Sequence, residues 1–135
     1  MIERMLTEAR AHIERYTPEE AAVGNVLLVD LRTNDERDAT GIVSGSVHVP
    51  RSVLEWRFDL ESGYANPVVA LSELPVVLIC DHGYSSSLAA LSLRRIGIER
   101  AGDLIGGFQA WAAAGLPVKP APPVPEGLPG MGGPE

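Results

Sequence analysis

Cysteine is nearly absent from this chain: Cys80 is the one thiol among 135 residues. That excludes an internal disulfide and a resolving thiol. The N-terminus is broken up by Glu3, Arg4, Glu8 and Arg10, unlike a signal peptide, so a reducing, cytoplasmic setting is expected. Long apolar runs are lacking as well, since no stretch approaches the ~20 residues of a membrane helix, and no membrane partner is expected. Positive charge is scarce: 11 Lys and Arg face 18 Asp and Glu, a formal net charge of −7. A nucleic-acid binder usually carries a basic footprint, so that class of partner is set aside too. There is no internal repeat and no phosphate-binding P-loop. His12 and His48 stand at no metal-ligand spacing from any other residue, so no metal site is expected.

What remains is an ordinary globular composition, 45% hydrophobic and 21% charged, on a chain long enough for one domain with a working core. Ile2, Met5, Leu6, Ala9 and Ile13 recur at helical spacing among charges, which predicts an amphipathic N-terminal helix over residues 1–16. Thr17, Pro18 and Glu20 spell a capping box with proline in the first turn, so a second, short helix starts at Pro18 and stops at Gly24-Asn25. "VLLVDLR" at 26–32 and "PVVLIC" at 75–80 are continuous apolar runs suited to strands buried on both faces. "GSVHVP" at 45–50 and "GDLIGG" at 102–107 predict two shorter strands. Helical patterns at 87–96 and 108–114 end at Gly97 and at Gly115 with Pro117. The connection 51–74 is long, with some helix near 53–57. Strands alternating with helices predict an α/β fold with a mainly parallel sheet. From Lys119 on, "KPAPPVPEGLPGMGGPE" has no periodicity, so residues 119–135 are expected to form a disordered, Pro/Gly-rich tail after a domain spanning 17–118.

Cys80 is expected at the carboxyl end of a strand, where ligands gather in open α/β sheets. "DHGYSSS" then turns the chain into a helix: Gly83 supplies backbone freedom and the serines are N-cap residues. Backbone N–H groups in such a turn, backed by a helix N-terminus, attract an anion and favour the thiolate. A buried structural cysteine is the bland alternative, because free cysteine is among the most buried residue types.

Four segments, in order, make the chain resemble the single-domain rhodanese-like sulfurtransferases. They are "VDLR" at 29–32 with Glu36, "GIVSGSVHVP" at 41–50, "CDHGYSS" at 80–86 and "GGFQAWAAAGLPV" at 106–118. The resemblance implies a three-layer rhodanese-like fold with a central, mainly parallel sheet flanked by helices. It also implies a mechanism. Cys80 would take sulfur from thiosulfate or a similar donor as a persulfide, then yield it to a thiophilic acceptor such as cyanide, a thiol or a sulfur-acceptor protein. No cofactor is implied. The loop residues Asp81, His82, Gly83, Tyr84, Ser85 and Ser86 would surround the persulfide, Ser85 and Ser86 as hydrogen-bond donors, with Asp30 a structural acceptor near the strand end.

Departures from the family pattern mark what to look for. Ser85 stands five residues after the cysteine, where many members carry Arg or Lys, so the loop lacks a fixed cation. Arg57, favoured over Arg51, is the candidate to lean over Cys80 and replace it; the alternative is that both are solvated or paired with Glu55 and Asp59. Ile42 stands where His is common, and Arg37 where an aromatic often follows Glu36; packing is the expected casualty of both. Two other functions compete. Phosphatase or arsenate reductase chemistry wants an arginine where Ser86 stands, and arsenate reduction wants a second thiol. A non-catalytic module for partner binding or sulfur relay commonly loses the cysteine that this chain keeps.

Overall fold

The computed structural model describes residues 1–135. In chain order the elements are α1 (Ile2–Arg10), β1 (Glu14–Tyr16), α2 (Pro18–Val23), β2 (Leu27–Asp30), α3 (Asn34–Thr40), β3 (Ile42–Val43) and β4 (Val47–His48). A 3-10 turn (Arg51–Val53) leads into α4 (Leu54–Phe58) and α5 (Pro67–Ala70), followed by β5 (Val76–Ile79), α6 (Ser85–Arg95), β6 (Ala101–Leu104), α7 (Gly107–Ala113) and β7 (Val118–Lys119). The main sheet has the order β1-β6-β5-β2-β4, and every pairing in it is parallel.

Alternation along β5 sorts the core into two layers. Val76 and Leu78 face a cluster with Val29, Leu54, Phe58, Ala89 and Leu93, so α4, α5 and α6 cover that side. Val77 and Ile79 face Ala21, Leu104, Phe108 and Trp111, so α2 and α7 cover the other. A strand buried on both faces reads as an unbroken apolar run for this reason. Capping boxes open two helices: Thr17 with Glu20, as the sequence predicts, and Thr33 with Glu36, which opens α3.

Three expectations change. The N-terminal helix stops at Arg10, and Glu14–Tyr16 becomes an edge strand instead, because β6 offers a row of unpaired backbone groups. Gly102 admits that strand: a Cβ there would strike the Glu14 carbonyl and come within 3.0 Å of the Tyr16 ring. The strands at 45–50 and 102–107 are shorter than the apolar pattern and shift to Val47–His48 and Ala101–Leu104.

The segment after Lys119, expected to be disordered, lies against the domain. Arg57 Nε donates to the Pro129 carbonyl at 2.8 Å, and Asn66 Nδ2 donates to Gly130 and Gly132 carbonyls at 2.9 Å each. Arg37 pairs with Glu135, and Pro134 bridges to Val47. A proline-rich chain has no periodic hydrogen bonds of its own, so its carbonyls are free to serve buried donors. Periodicity cannot report that kind of order.

Candidate active site

β5 delivers Cys80 to the carboxyl end of the sheet, where only 6% of the residue is exposed. The chain then reverses over Asp81–Tyr84 and enters α6. Gly83 makes the reversal with φ +84°, and a Cβ there would lie 2.6 Å from the Gly106 nitrogen, so the loop sits directly on the glycine pair 106–107. Two backbone amides point at the sulfur: Gly83 N lies 3.1 Å and Ser86 N 3.4 Å from Sγ.

The peptides next to these two amides are held by bonds made on the outside of the loop. The Cys80 and Asp81 carbonyls accept from Phe108 N (2.9 Å) and Gln109 N (3.1 Å) in the first turn of α7. The Gly83 carbonyl accepts from Arg10 Nη2 (2.9 Å) and Arg15 Nη2 (3.1 Å), and the Tyr84 carbonyl from Ser87 N (3.1 Å). These bonds hold peptide planes that flank the sulfur-facing amides: the Asp81 and Gly83 carbonyls lie on either side of the His82–Gly83 peptide, and the Tyr84 carbonyl precedes the Ser85–Ser86 peptide. The result is a set of fixed dipoles with positive ends on the sulfur, suited to an anion there.

Beneath the loop lies a carboxylate that the sequence reading missed. Asp103, fully buried at the end of β6, accepts from Ser86 Oγ and Ser87 Oγ at 2.7 Å each and from Arg15 at 2.8 and 3.3 Å. Ser86 Oγ also lies 3.2 Å from Sγ. A hydroxyl has one proton, and the carboxylate is the closer acceptor. Ser86 therefore accepts from the thiol rather than donating to it, and the donors to sulfur are the amides. Ser85, the other expected donor, is exposed and makes no hydrogen bond to sulfur. The available signal for Asp103 was a charged residue inside an apolar strand, "AGDLIGG", just before the glycine pair.

A cavity of about 390 Å³ opens in front of Cys80. The loop residues Asp81, His82, Tyr84 and Ser85 form one wall, and Glu36, Arg32 and Arg51 the other. His82 is 66% exposed and contacts Asp81 at 3.1 Å. The Arg32 guanidinium is consumed by Asp30, Thr40 and the Gly41 carbonyl and lies 4.0 Å from the Phe108 ring, so it offers the cavity no free charge. Asp30 is buried and serves Arg32 and Arg37 as an acceptor, away from the sulfur.

The two candidate cations separate. Arg51 lines the cavity with 45% of its side chain exposed and pairs with Glu55 at 2.9 Å. Burial would raise the Glu55 pKa, but hydrogen bonds from Ser92 and Arg51 outweigh it and hold the carboxyl below its ordinary value, so that partner stays charged. Arg57, the favoured candidate, is elsewhere. It is 4% exposed, bound to the carbonyls of Tyr64 and Pro129, and lines no part of the cavity. The correction follows from burial: a guanidinium sunk between α4 and the tail must bond locally and cannot lean over the loop. No group of three or more His, Cys, Asp or Glu side chains comes together as metal ligands. No helix is long and apolar enough to cross a membrane.

A profile of the rhodanese-like domain matches residues 8–114. The chain belongs to the rhodanese-like domain family. Among curated relatives it is 34% identical over 90 residues to the adenylyltransferase and sulfurtransferase MOCS3 of Oryza sativa subsp. japonica, covering 64% of this chain and 20% of that protein. It is 43% identical over 49 residues to the thiosulfate sulfurtransferase GlpE of Actinobacillus pleuropneumoniae serotype 3 (strain JL03), covering 36% and 45%. The match thus spans less than half the length of either relative. One solved structure, a Rhodopseudomonas palustris CGA009 protein of unknown function described as a possible tyrosine phosphatase, superposes with a TM-score of 0.82 at 33% identity, covering 88% of this chain and 94% of that one. The human single-domain sulfurtransferase TSTD1 shares the fold at a TM-score of 0.57 and 24% identity, covering 76% and 96%.

Proposed function

We propose that this rhodanese-like domain is a sulfurtransferase that carries sulfane sulfur on Cys80. The observation that supports this best is the pair of amides on Sγ, in a loop whose neighbouring peptides are bonded outside. Such dipoles stabilise a charge that stays on or next to sulfur, as a persulfide anion does, and they need no reorganisation when it forms.

With thiosulfate as donor, the Cys80 thiolate attacks the outer sulfur. A new S–S bond forms, the donor's S–S bond breaks, and sulfite leaves with the bonding electron pair. In the second half-reaction a nucleophile attacks the outer persulfide sulfur and departs with it, as thiocyanate if the nucleophile is cyanide, which regenerates the thiolate. This is covalent catalysis with ping-pong kinetics. The chain has no second thiol, so the acceptor must come from outside: cyanide, a small thiol or a sulfur-acceptor protein. Arg51 is the cavity's exposed cation and the candidate to meet an anionic donor at the rim.

Intact mass after incubation with thiosulfate tests the reading, beside Cys80→Ser. The expected result is one added sulfur atom on the wild type only, removed by cyanide. No adduct with thiosulfate, a cysteine persulfide or mercaptopyruvate would overturn it in favour of a partner-binding role.

The Rhodopseudomonas palustris protein supports a phosphatase as a second reading. Phosphoryl transfer needs an arginine to grip a dianion, and Ser86, in that position, has its hydroxyl bonded to Asp103. Hydrolysis of a phosphotyrosine analogue by the wild type, absent in Cys80→Ser, would favour this reading over sulfur transfer.

A further inference from the structure

The loop's missing cation has a replacement, and it stands behind the loop. We propose that Arg10, at the last turn of α1, is a positioning residue that fixes the Gly83 peptide and supplies a positive charge to the anion on Cys80, with Arg15 and Asp103 as its scaffold. The proposal deepens the sulfur-transfer reading and rests on it for its purpose, though not for its test.

The guanidinium of Arg10 makes three contacts, all with the loop or the helix start. Nη2 donates to the Gly83 carbonyl at 2.9 Å, Nε donates to Ser87 Oγ at 3.1 Å, and the group lies 5.5 Å from the centre of the Tyr84 ring. Gly83 is thus pinned on both sides, its N–H on the sulfur and its carbonyl on two arginines. A glycine at φ +84° is the residue in the loop most able to rotate away, and the arginines block that rotation.

Charge separates the two arginines. Arg15 forms an ion pair with Asp103, so its field is largely cancelled at the sulfur. Arg10 bonds only to a carbonyl and a hydroxyl, which leaves its positive charge uncompensated next to the loop. Arg10 holds the Gly83–Tyr84 peptide, next to the peptide whose N–H meets Sγ, so it acts on that amide by fixing the Gly83 backbone and on the anion by its own charge. A family pattern with Arg or Lys at the position of Ser85 would place the cation in front, within reach of the donor. Here it sits behind, where it acts on the sulfur anion and leaves the cavity open.

Alkylation of Cys80 by iodoacetamide, an uncharged probe, at fixed pH measures the reactive thiolate whether or not sulfur transfer is the activity. Arg10→Gln is expected to slow alkylation about fivefold, the scale of one partly screened charge-assisted interaction. Arg10→Lys should recover at least half of the loss, and Arg4→Gln, on the exposed part of the same helix, should react at the wild-type rate. Arg10→Gln should melt no more than about 6 °C below the wild type, since Arg10 is only partly buried and its two bonds are partly screened. A wild-type rate in Arg10→Gln would overturn the proposal. Equal slowing in Gln and Lys would also overturn it, because shape rather than charge would then matter; if the glutamine protein does not fold, the lysine variant decides by reacting near the wild-type rate or not. Failure of the wild type to acquire sulfur would strike the sulfur-transfer reading alone, since alkylation needs no donor.

Discussion

Gly107 is the position at which the fold and the loop can be broken apart most cleanly by one methyl group. Its φ is +61°, and a Cβ would sit 2.7 Å from Gly83 N and 2.8 Å from the Asp81 carbonyl carbon, and on the Cys80 carbonyl oxygen. All three neighbours are backbone of the sulfur loop. Gly45 is the matched control, with φ +87° and nothing within 4 Å of the added atom. Both alanine variants carry the left-handed backbone cost, about 1–2 kcal/mol. Gly107→Ala must also push the loop off α7 and weaken the bonds from Phe108 N to Cys80 and from Gln109 N to Asp81, about 1 kcal/mol each. At roughly 4 °C per kcal/mol for a chain of this size, Gly45→Ala should melt about 6 °C below the wild type and Gly107→Ala about 14 °C below. The reactivity difference should be sharper. Thermal unfolding by circular dichroism, paired with iodoacetamide kinetics, should give Gly45→Ala a wild-type alkylation rate and Gly107→Ala a loss of about tenfold, because the displaced amides no longer meet the sulfur. Equal melting temperatures, or an unaltered rate in Gly107→Ala, would refute the account of the loop as a shape held by carbonyl bonds.

Two further outcomes follow from groups away from the sulfur. Burial holds the His48 imidazole below its ordinary pKa of 6.5, against a weaker opposing pull from its hydrogen bond to the Arg32 carbonyl; since a carbonyl only accepts, Nε2 carries the proton. The unfolded chain takes up a proton first as pH falls, so this contribution to stability is complete above about pH 6.5 and declines as pH drops through the folded-state pKa; His48→Gln should flatten the fall in melting temperature between pH 7 and 5, and a parallel curve would count against it. Arg57→Ala removes two charge-assisted bonds, to Tyr64 and Pro129, and should cost about 3 kcal/mol in urea unfolding while leaving the donor KM within a factor of two; a raised KM with unaltered stability would return Arg57 to the cavity.

The parts of the fold that were legible in the sequence are those whose order is periodic. The strands "VLLVDLR" and "PVVLIC", the helix after the sulfur loop and the Thr17–Glu20 capping box each repeat a local rule, and each appears within a few residues of its expected place. The turn after Cys80 was legible too, because glycine and serine have specific backbone uses there. What stayed hidden depends on distant partners. Glu14–Tyr16 is a strand because β6 has an open edge beside it, not because of its own residues. Asp103 looks like an ordinary polar interruption until two serines and an arginine from other elements meet it. Arg57 stood at a suggestive place in the chain, and only the packed tail reveals that its donors are already used.

An acidic protein whose sulfur loop presents the positive ends of its dipoles poses a question of scale. The net charge of −7 acts from the whole surface, and at physiological salt a surface charge is felt over ~8 Å. The two amides act at 3.1 and 3.4 Å, from inside a loop that leaves Cys80 with 6% exposure. Buried dipoles at contact distance are screened far less than exposed charges, so at the sulfur their field outweighs that of the surface. The acidic surface governs a different step, the approach of whatever reaches the cavity. Its rim carries Glu36 and Asp81 against one exposed cation, Arg51, which is already paired. A free dianion gains little from such a rim. A donor or acceptor with its own positive charge, or a protein surface that complements the acidic one, gains more. The loop's dipoles thus suit an anion that forms in place, and at the entrance only Arg51, shared with Glu55, meets one arriving from solution.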